Sequence, residues 1–582
     1  MNNQTDILPD PDALIRKYIQ PEMYLHLAST MSRPNALIYA LIRVFYKQKA
    51  DFTISVGGLH SNAHALTLSG IIKKGIISFA GDNYPRPSPN SLYSRILTGK
   101  PFQAEIWSLL TLVQRLMAGA MRLNGFVTNS LVESDMAKDK LGKNLFLLKR
   151  KNSNEKKTAF ITPLNPDITL LHGVCGDEDG NIMLTPPLGE GIWSAFAATK
   201  GVLASVEKIV PSGTIPPELV TIPGCKVTGI CEARYGVHPQ SLRVMPNLDF
   251  LDDIKTYYDD YEFQIMANRS LGAKMFDLAQ RWMEEYVLLK DGHKEYLDVL
   301  TNSLMRMLDE RPMHLPPKRN LRKNLNKEKG FNDSEQMIIL AARAIVRNIK
   351  ENGYKTVLAG IGAAHIASWT ARKLLEKDGM SVNVLAELGF YNMIPYQGDI
   401  FLFSQQHQAS QFSDVGQILG TLVPQDCLGV LGAAEVDILG NLNSTRMANG
   451  KFIVGSGGAN DIASTADCLV IVRAGRTRFV QNVNYITSPG KNVKEVVCQF
   501  GSFSRQTEDA SKFYFSNWLA PPSEPEMEAM EAVIRFTDWT TELALEVYEE
   551  EPPITKEELE ILHSLDPNKV YTEEYLLTKT LF

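Results

Sequence analysis

Val357-Leu358-Ala359-Gly360-Ile361-Gly362, then Ala364 to Lys377, then Val382-Asn383-Val384-Leu385-Ala386 is the stretch from which the fold is read. The aliphatic run reads as a buried strand and the two glycines as a turn. The next segment has helical spacing, and the last run is a second strand. Strand, turn, helix, strand is the unit of a parallel sheet and argues for a doubly wound α/β architecture. Just upstream, Asp333-Ser334-Glu335-Gln336 precedes Met337, Ile338, Ala341, Ala342 and Ile345 and resembles a capping box, so a domain starts there.

An internal repeat extends this reading to the first half. Leu171 to Asn181 lies beside Leu431 to Asn441, with Asp177, Gly180 and Asn181 in register with Asp437, Gly440 and Asn441. Asp bonds its own backbone and Gly-Asn accepts positive φ, so both segments read as turns. Thr221-Ile222-Pro223-Gly224 and Thr487-Ser488-Pro489-Gly490 recur at nearly the same offset. The chain is expected to hold two similar open α/β domains with largely parallel sheets. Residues 1–50 read as a helical N-terminal extension, 51–315 as the first half, 316–332 as a basic linker and 333–582 as the second half. Within the first half, helices are expected over 63–74 and 104–122. The linker's lysines and arginines have no interleaved aromatics, which favours a solvated connection over a nucleic-acid patch.

At 582 residues the chain exceeds one ordinary domain. Its composition, 44% hydrophobic and 22% charged, is that of a globular protein, and a net charge of -6 favours neither nucleic acid nor an anionic membrane. No two of the six cysteines have CxxC spacing, so zinc and redox motifs are not expected and the thiols read as free and buried. No long apolar span or leader pattern is read, and a cytoplasmic protein is expected.

In an open α/β sheet, ligands lie beyond the carboxyl ends of the strands. Glu387 follows the strand ending at Ala386, within Glu387-Leu388-Gly389. A carboxylate there is a helix cap, a salt-bridge partner, a general base, a metal ligand or a nucleophile, and no H-x-x-x-H or paired carboxylate accompanies it to hold a metal. The second stretch is Phe452-Ile453-Val454-Gly455-Ser456-Gly457-Gly458-Ala459-Asn460-Asp461. It reads as strand, glycine turn and helix start, with Asp461 as the N-cap. Such a turn aims backbone N–H groups at an anion, either a phosphate or an oxyanion. Asn460 stands where G-x-G-x-x-G needs its third glycine, and no phosphate-loop lysine is present, which weakens the nucleotide reading.

These residues carry a family resemblance. Val454 to Ala459 resembles the oxyanion-hole sequence of the family I coenzyme A transferases, and Glu387-Leu388-Gly389 resembles the segment holding their nucleophilic glutamate. Gly432 to Asp437 with Gly440 to Ser444, and Arg478 to Val480 with Thr487 to Gly490, are similar to the β-subunit of that family. Val56-Gly57-Gly58, Arg115 to Met121, Asp177 to Asn181 and Gly236 to Pro239 are similar to its α-subunit. The resemblance covers roughly 50–250 and 333–500, with a similar tail near Glu557–Pro567, and is nearest the glutaconate and 3-oxoacid branch, with α and β halves fused. Two departures are plain. Leu388 stands where relatives often have Asn or Ser, and Gly57-Gly58 continues into Leu59-His60-Ser61-Asn62 instead of an aromatic–glycine run.

The resemblance implies the sugar-phosphate-isomerase-like (NagB/RpiA-type) sheet fold and a ping-pong exchange of CoA between an acyl-CoA and a small carboxylic acid. Glu387 is implied as the nucleophile, forming first an acyl-glutamyl anhydride and then a glutamyl-CoA thioester. Gly457 and Gly458 are implied as oxyanion-hole donors. Gly360, Gly362, Ala363 and Ala364 are implied as CoA-binding positions, together with Gly455, Ser456, Ala459 and Asn460. Gly57, Gly58 and Glu105 are candidates for the acyl pocket. His60, His64 and His172 are either core histidines or carboxylate-facing ones. Coenzyme A is expected as co-substrate with no metal or covalently bound cofactor, and a dimer or tetramer of the fused chain is expected. An acyl-CoA hydrolase on the same fold and a catalytically idle CoA-binding protein are the competing readings.

Overall fold

The computed structural model describes residues 5–28, 32–84, 86–148, 158–272, 276–310, 330–394, 408–505, 512–539, 548–567 and 569–572. The first half is built on nine strands: β1 (Asp6–Ile7), β2 (Tyr24–Leu27), β3 (Phe52–Leu59), β4 (Ile72–Ala80), β5 (Gln103–Ile106), β6 (Ile168–Asp177), β7 (Ile182–Met183), β8 (Val202–Val210) and β9 (Val227–Glu232). Their order is β1-β9-β8-β6-β2-β3-β4-β5, all parallel, with β7 pairing antiparallel to β6.

The second half carries β10 (Thr356–Ala359), β11 (Asn383–Leu385), β12 (Cys427–Gly432), β13 (Asp467–Ile471), β14 (Val493–Cys498), β15 (Gly501–Arg505), β16 (Phe513–Trp518) and β17 (Glu549–Glu550). They run in the order β11-β10-β12-β13-β14-β15-β16-β17, parallel from β11 through β14. The two-half parallel α/β fold read from the sequence is therefore present. Buried runs such as Val357-Leu358-Ala359 and Leu428-Gly429-Val430 are uninterrupted because helices cover both faces of such a sheet.

The two sheets superimpose in strand order, with β4-β3-β6-β8-β9 matching β11-β10-β12-β13-β14, except that β2 is wedged between β3 and β6. This corrects the reading of residues 1–50 as a helical extension. Helices do span Pro11–Tyr18 and Asn35–Phe45, but β1 and β2 are strands of the sheet, β2 near its centre. Four residues are too few to show a period. His26 also disguised the run as polar, although its ring is satisfied by Ser55 Oγ at 2.9 Å and Glu190 Oε1 at 3.3 Å.

The repeated turns are the same object twice. Asp177 Oδ1 accepts from the Asp179 and Asn181 amides at 3.1 and 2.8 Å, and Asp437 Oδ1 accepts from Leu439 and Asn441 at 3.0 and 2.9 Å. In each half the Asn oxygen then accepts the amide of the partner motif's glycine, Gly224 or Gly490, at 2.9 Å. The sequence repeat is thus one clasp per half, tying the turn after a central strand to the start of a later one.

Local readings shift for identifiable reasons. The helix expected over 63–74 is His64–Leu68, because β4 claims Ile72 onward. The helix expected over 104–122 is α1 (Leu109–Ala120), since residues 103–106 form β5. The cap of helix Asp333–Asn352 is Asn332, one residue earlier than read, with Glu335 completing the box. Five of the six cysteines are buried as expected, while Cys225 is exposed. Most of the basic linker falls outside the described residues. Among those described, no helix is long and apolar enough to cross a membrane.

The halves meet at α1. Ser108 precedes it, and its first two amides are satisfied by the other half: Leu109 N–H donates to Gly457 O at 2.9 Å and Leu110 N–H to Asp461 Oδ2 at 2.9 Å. Ser108 Oγ donates to Asp461 Oδ1 at 2.6 Å. Asp461 was expected to cap its own helix, α2 (Ala459–Thr465). There Gly458 holds the cap position, and Asp461 caps α1 across the seam instead. Replacing Asp461 by Ala is expected to destabilise the protein by roughly 2–4 kcal/mol, a lost cap plus two buried donors left unsatisfied. Chemical denaturation checks this, and an unchanged midpoint would refute the cross-seam cap.

Candidate active site

The carboxyl ends of β10 and β11 are adjacent. The first opens into Gly360–Gly362 and the second into Glu387. Gly389 has φ +127°, and a Cβ there would strike Ser413 O and come 2.9 Å from Pro187 Cβ. Leu188 N–H donates to that same Ser413 O at 2.7 Å. Glycine is therefore required two residues after Glu387, where the turn is pressed between its own half and residues 187–189 of the other.

The glycine stretch approaches from the opposite side. Phe452–Val454, expected to be a strand, is not a strand of the sheet. It is held by isolated bridges, Arg446 to Phe452 and Phe79 to Gly455, the latter joining it to the end of β4. Ala80 N–H donates to Val454 O at 2.9 Å. Gly455 has φ +98° and Gly457 φ +51°, conformations that L side chains seldom take.

These two elements converge. Glu387 accepts a hydrogen bond from the Gly458 N–H, and a Cβ added to Gly458 would collide with Glu387 Oε2. Glu387 is partly exposed, so another molecule can reach it, yet its carboxyl is largely desolvated. Burial first, then the charge of Asp461, pushes its pKa up to about 7 against the favourable pull of the Gly458 amide. Asp461 itself is fully buried and pushed up to about 7 by that burial. Two carboxyls with raised pKa values beside a glycine turn form the kind of cluster found where acid–base or nucleophilic chemistry is done.

The expected donors divide differently than the sequence implied. The Gly457 N–H is taken by Ser78 O at 3.1 Å and the Gly455 N–H by Ser444 O at 2.9 Å, leaving Gly458 as the amide aimed at Glu387. Asn460 is committed to structure, accepting from Leu131 N–H at 2.8 Å and donating to Thr487 O at 2.8 Å, so it is not a CoA contact here. Ser456 is buried and Ala459 partly exposed beside the turn.

Among the first turn's residues, the Gly360 N–H is used by Val430 O at 2.9 Å and Ala364 is buried in the core. Gly362 has φ +84°, and a Cβ there would lie 3.7 Å from Arg86 Cβ, so it faces Arg86 of the first half. Gly57 and Gly58 end β3, with Gly57 O accepting from Ser78 Oγ at 2.6 Å, and so lie one strand from the glycine stretch.

Glu105 lies in β5, not on a helix. Its carboxylate is occupied by Lys74 at 2.8 Å, Trp107 Nε1 at 2.8 Å, Asn144 at 3.0 Å and Arg115 at 3.3 Å. Although burial opposes ionisation, Lys74 and Arg115 prevail and hold its pKa down at about 2. This makes Glu105 a structural ion-pair residue and removes it from the acyl pocket. His64 and His172 are satisfied on both ring nitrogens, by Tyr93 and Asp82 and by Ser205 and Glu207.

Fold and site together describe a two-half α/β protein with a desolvated carboxyl, that of Glu387, at a strand end facing the seam. A sequence profile of the coenzyme A transferase family matches residues 9–233. One of the subunits of the glutaconate CoA-transferase of Acidaminococcus fermentans is 34% identical over 67 residues, 11% of this chain and 25% of its own length. Both subunits of the 3-oxoadipate CoA-transferase of Pseudomonas knackmussii match. One is 28% identical over 21% of this chain and 42% of its own length, and the other 30% identical over 24% and 58%. The matches thus span between a quarter and somewhat over half of these relatives' lengths. An acyl-CoA transferase of Escherichia coli O157:H7 shares the fold over 95% of this chain and 96% of its own, with a TM-score of 0.64 at 16% identity. Residues 9–233 thus resemble the coenzyme A transferase family, and the match beginning at residue 9 agrees with the first fifty residues being part of the fold.

The raised carboxyls make a pH prediction. Were Glu387 to act as a nucleophile on an acyl-CoA it would have to be ionised, and kcat/KM would then fall as pH drops through about 7, its folded-state value. Asp461→Asn removes the second cause of that elevation and should move the acid limb to lower pH. A limb that stays in place would separate Asp461 from Glu387's titration.

Proposed function

We propose that this protein transfers coenzyme A between an acyl-CoA and a carboxylic acid by way of Glu387. The observation that carries the reading is the Glu387 carboxyl, partly exposed at a strand end and held by the Gly458 amide. In the first step a Glu387 oxygen attacks the thioester carbonyl, the C–S bond breaks and CoA leaves as thiolate, giving an acyl-glutamyl anhydride. The thiolate then attacks the glutamyl carbonyl, expelling the first acid as its carboxylate and leaving a glutamyl-CoA thioester. An incoming carboxylate reverses both steps and restores Glu387. Splitting the exchange through covalent states compensates for the weak nucleophilicity of a carboxylate. A pKa near 7 makes Glu387 more basic, and so a better nucleophile, while leaving about half of it ionised at neutrality.

The Gly458 amide has a specific part in this scheme. When thiolate adds to the glutamyl carbonyl, the negative charge develops on an oxygen of Glu387 itself. The N–H already bonded there strengthens as the charge grows. The Gly360–Ala364 turn, at a helix start beside Glu387, is proposed to receive part of CoA through its amides.

Incubation with an acyl-CoA, then with added acceptor acid, tests the reading. Acceptor-dependent formation of a new acyl-CoA, together with borohydride trapping of the glutamyl-CoA thioester at Glu387, supports it. Release of CoA without acceptor, and no trapped adduct, would make the protein a hydrolase instead.

A further inference from the structure

One wall of the Glu387 site has no part in the transfer chemistry as described. It is built from a short helix, Val415–Gln417, and the π-helical turn Ile418–Leu422 that continues it. An α-helix closes with bonds four residues back. Here the Val423 N–H reaches Ile418 O, five back, at 3.0 Å. The wider turn shifts side chains off the ordinary helical spacing, and such turns are frequent at functional sites.

Packing fixes how this wall faces. A Cβ on Gly416 would strike Met117 Cε, and one on Gly420 would lie 3.5 Å from Leu110 Cδ1, so the two glycines rest on α1. The Val415 N–H donates to Gly189 O at 3.1 Å. Both supports belong to the first half. Leu419 instead reaches the glycine turn. Its Cδ1 lies 3.2 Å from the place of a Gly458 Cβ, the same point that Glu387 Oε2 crowds. Leu419 is fully buried, as are Ile418 and Val423 in the same apolar cluster.

The carboxyl therefore has two unlike sides. One is partly open, where another molecule can approach. The other is closed by an aliphatic side chain that offers water no hydrogen bond. Burial is the first cause of the raised Glu387 pKa, in keeping with a dry contact there. The covalent states proposed for Glu387, an anhydride and a thioester, are both open to hydrolysis. Attack on the thioester puts water's oxygen on the glutamyl carbon and breaks the C–S bond. One water proton goes to the CoA sulfur and the other to solvent, and the carboxylate is restored. An incoming carboxylate attacks that same carbon, so the outcome depends on which nucleophile reaches it, and excluding water protects the intermediate.

We propose that Leu419 keeps water from the glutamyl carbonyl and so directs the covalent intermediates to a carboxylate acceptor. It is a specificity-determining residue for transfer against hydrolysis, held in place by α1 of the other half. This rests on the transfer reading and adds the residue that protects its intermediates.

The readout is the ratio of acceptor-independent CoA release to acceptor-dependent transfer, with acetate as acceptor, because that ratio does not change with the fraction of protein folded. Leu419→Ala is expected to raise it by about tenfold or more. Leu419→Met restores the volume without a polar group and should bring it back to within about twofold of the parent. Val423→Ala opens the same apolar cluster away from Glu387 and should leave it unchanged. Should Leu419→Ala fail to fold, Leu419→Val is expected to give a smaller rise in the same direction, and no rise there overturns the proposal. A ratio unmoved in Leu419→Ala, or raised equally in Val423→Ala or Leu419→Met, overturns the proposal and leaves transfer standing. A parent that releases CoA as fast without acceptor as with it, or that turns over no acyl-CoA, overturns the transfer reading and the role of Leu419 with it.

Discussion

Glu387→Gln is expected to lower the rate of CoA transfer by about four orders of magnitude, the scale on which a covalent nucleophile is lost. The amide keeps nearly the same volume, so the loss should fall on kcat with only a small change in KM. A protein-folding defect is excluded by a second readout with the opposite sign. The folded-state pKa of Glu387 is about 7 against an ordinary 4.5, so the folded protein binds this proton more tightly than the unfolded chain does. Stability contributed by the neutral carboxyl is therefore present at low pH and lost as pH rises from about 4.5 through about 7. Glutamine cannot ionise, and the variant should melt higher than the parent at pH 8, by an amount on the order of 3 kcal/mol at most, while the two converge near pH 4. A variant that transfers CoA at the parent rate would remove Glu387 from the nucleophile's role.

The second large effect is expected at Gly458. An alanine there places its methyl onto Glu387 Oε2, with Leu419 Cδ1 at 3.2 Å closing the other side. The carboxylate must rotate away, losing the amide bond and its aim. A fall of 10²–10³ in kcat is expected, the scale of losing one oriented backbone donor. Gly457→Ala is the informative contrast. Its Cβ would point into open space and its N–H would stay on Ser78 O, so the expected cost is the roughly 1 kcal/mol of a left-handed alanine and only a small change in rate. Equal losses at both positions would mean that loop conformation, not the Glu387–Gly458 contact, sets the rate.

How much of this was legible in the sequence depends on the range of each interaction. Val357 to Ala386 declared its strand, turn, helix and strand because each element is decided by its own residues. The duplicated Asp-x-x-Gly-Asn turns declared the two halves because turn chemistry is local. Glu387 and the glycine stretch were found by motif, with Gly389 explained only by the Ser413 backbone pressed against it. Asp461 was misread as a cap for its own helix. Its true partners, Ser108 and Leu110, lie more than 350 positions away, and no local pattern carries such a pairing. β2 was missed because a strand of four residues containing histidine needs Ser55 and Glu190 to make sense. The Gly457 donor was misassigned for the same reason, since Ser78 belongs to the other half.

The cross-seam cap on α1 has a consequence for how the molecule comes into being. As the chain is made from its N-terminus, the amides of Leu109 and Leu110 await partners that are synthesised 348 and 351 positions later. Until residues 457–461 arrive, the start of that helix is unfinished, and the same residues bring the glycine turn up to Glu387. Completion of the fold and arming of the carboxylate are therefore one event. A partly made or broken chain therefore lacks the pairing of Glu387 with the glycine turn on which the proposed transfer depends.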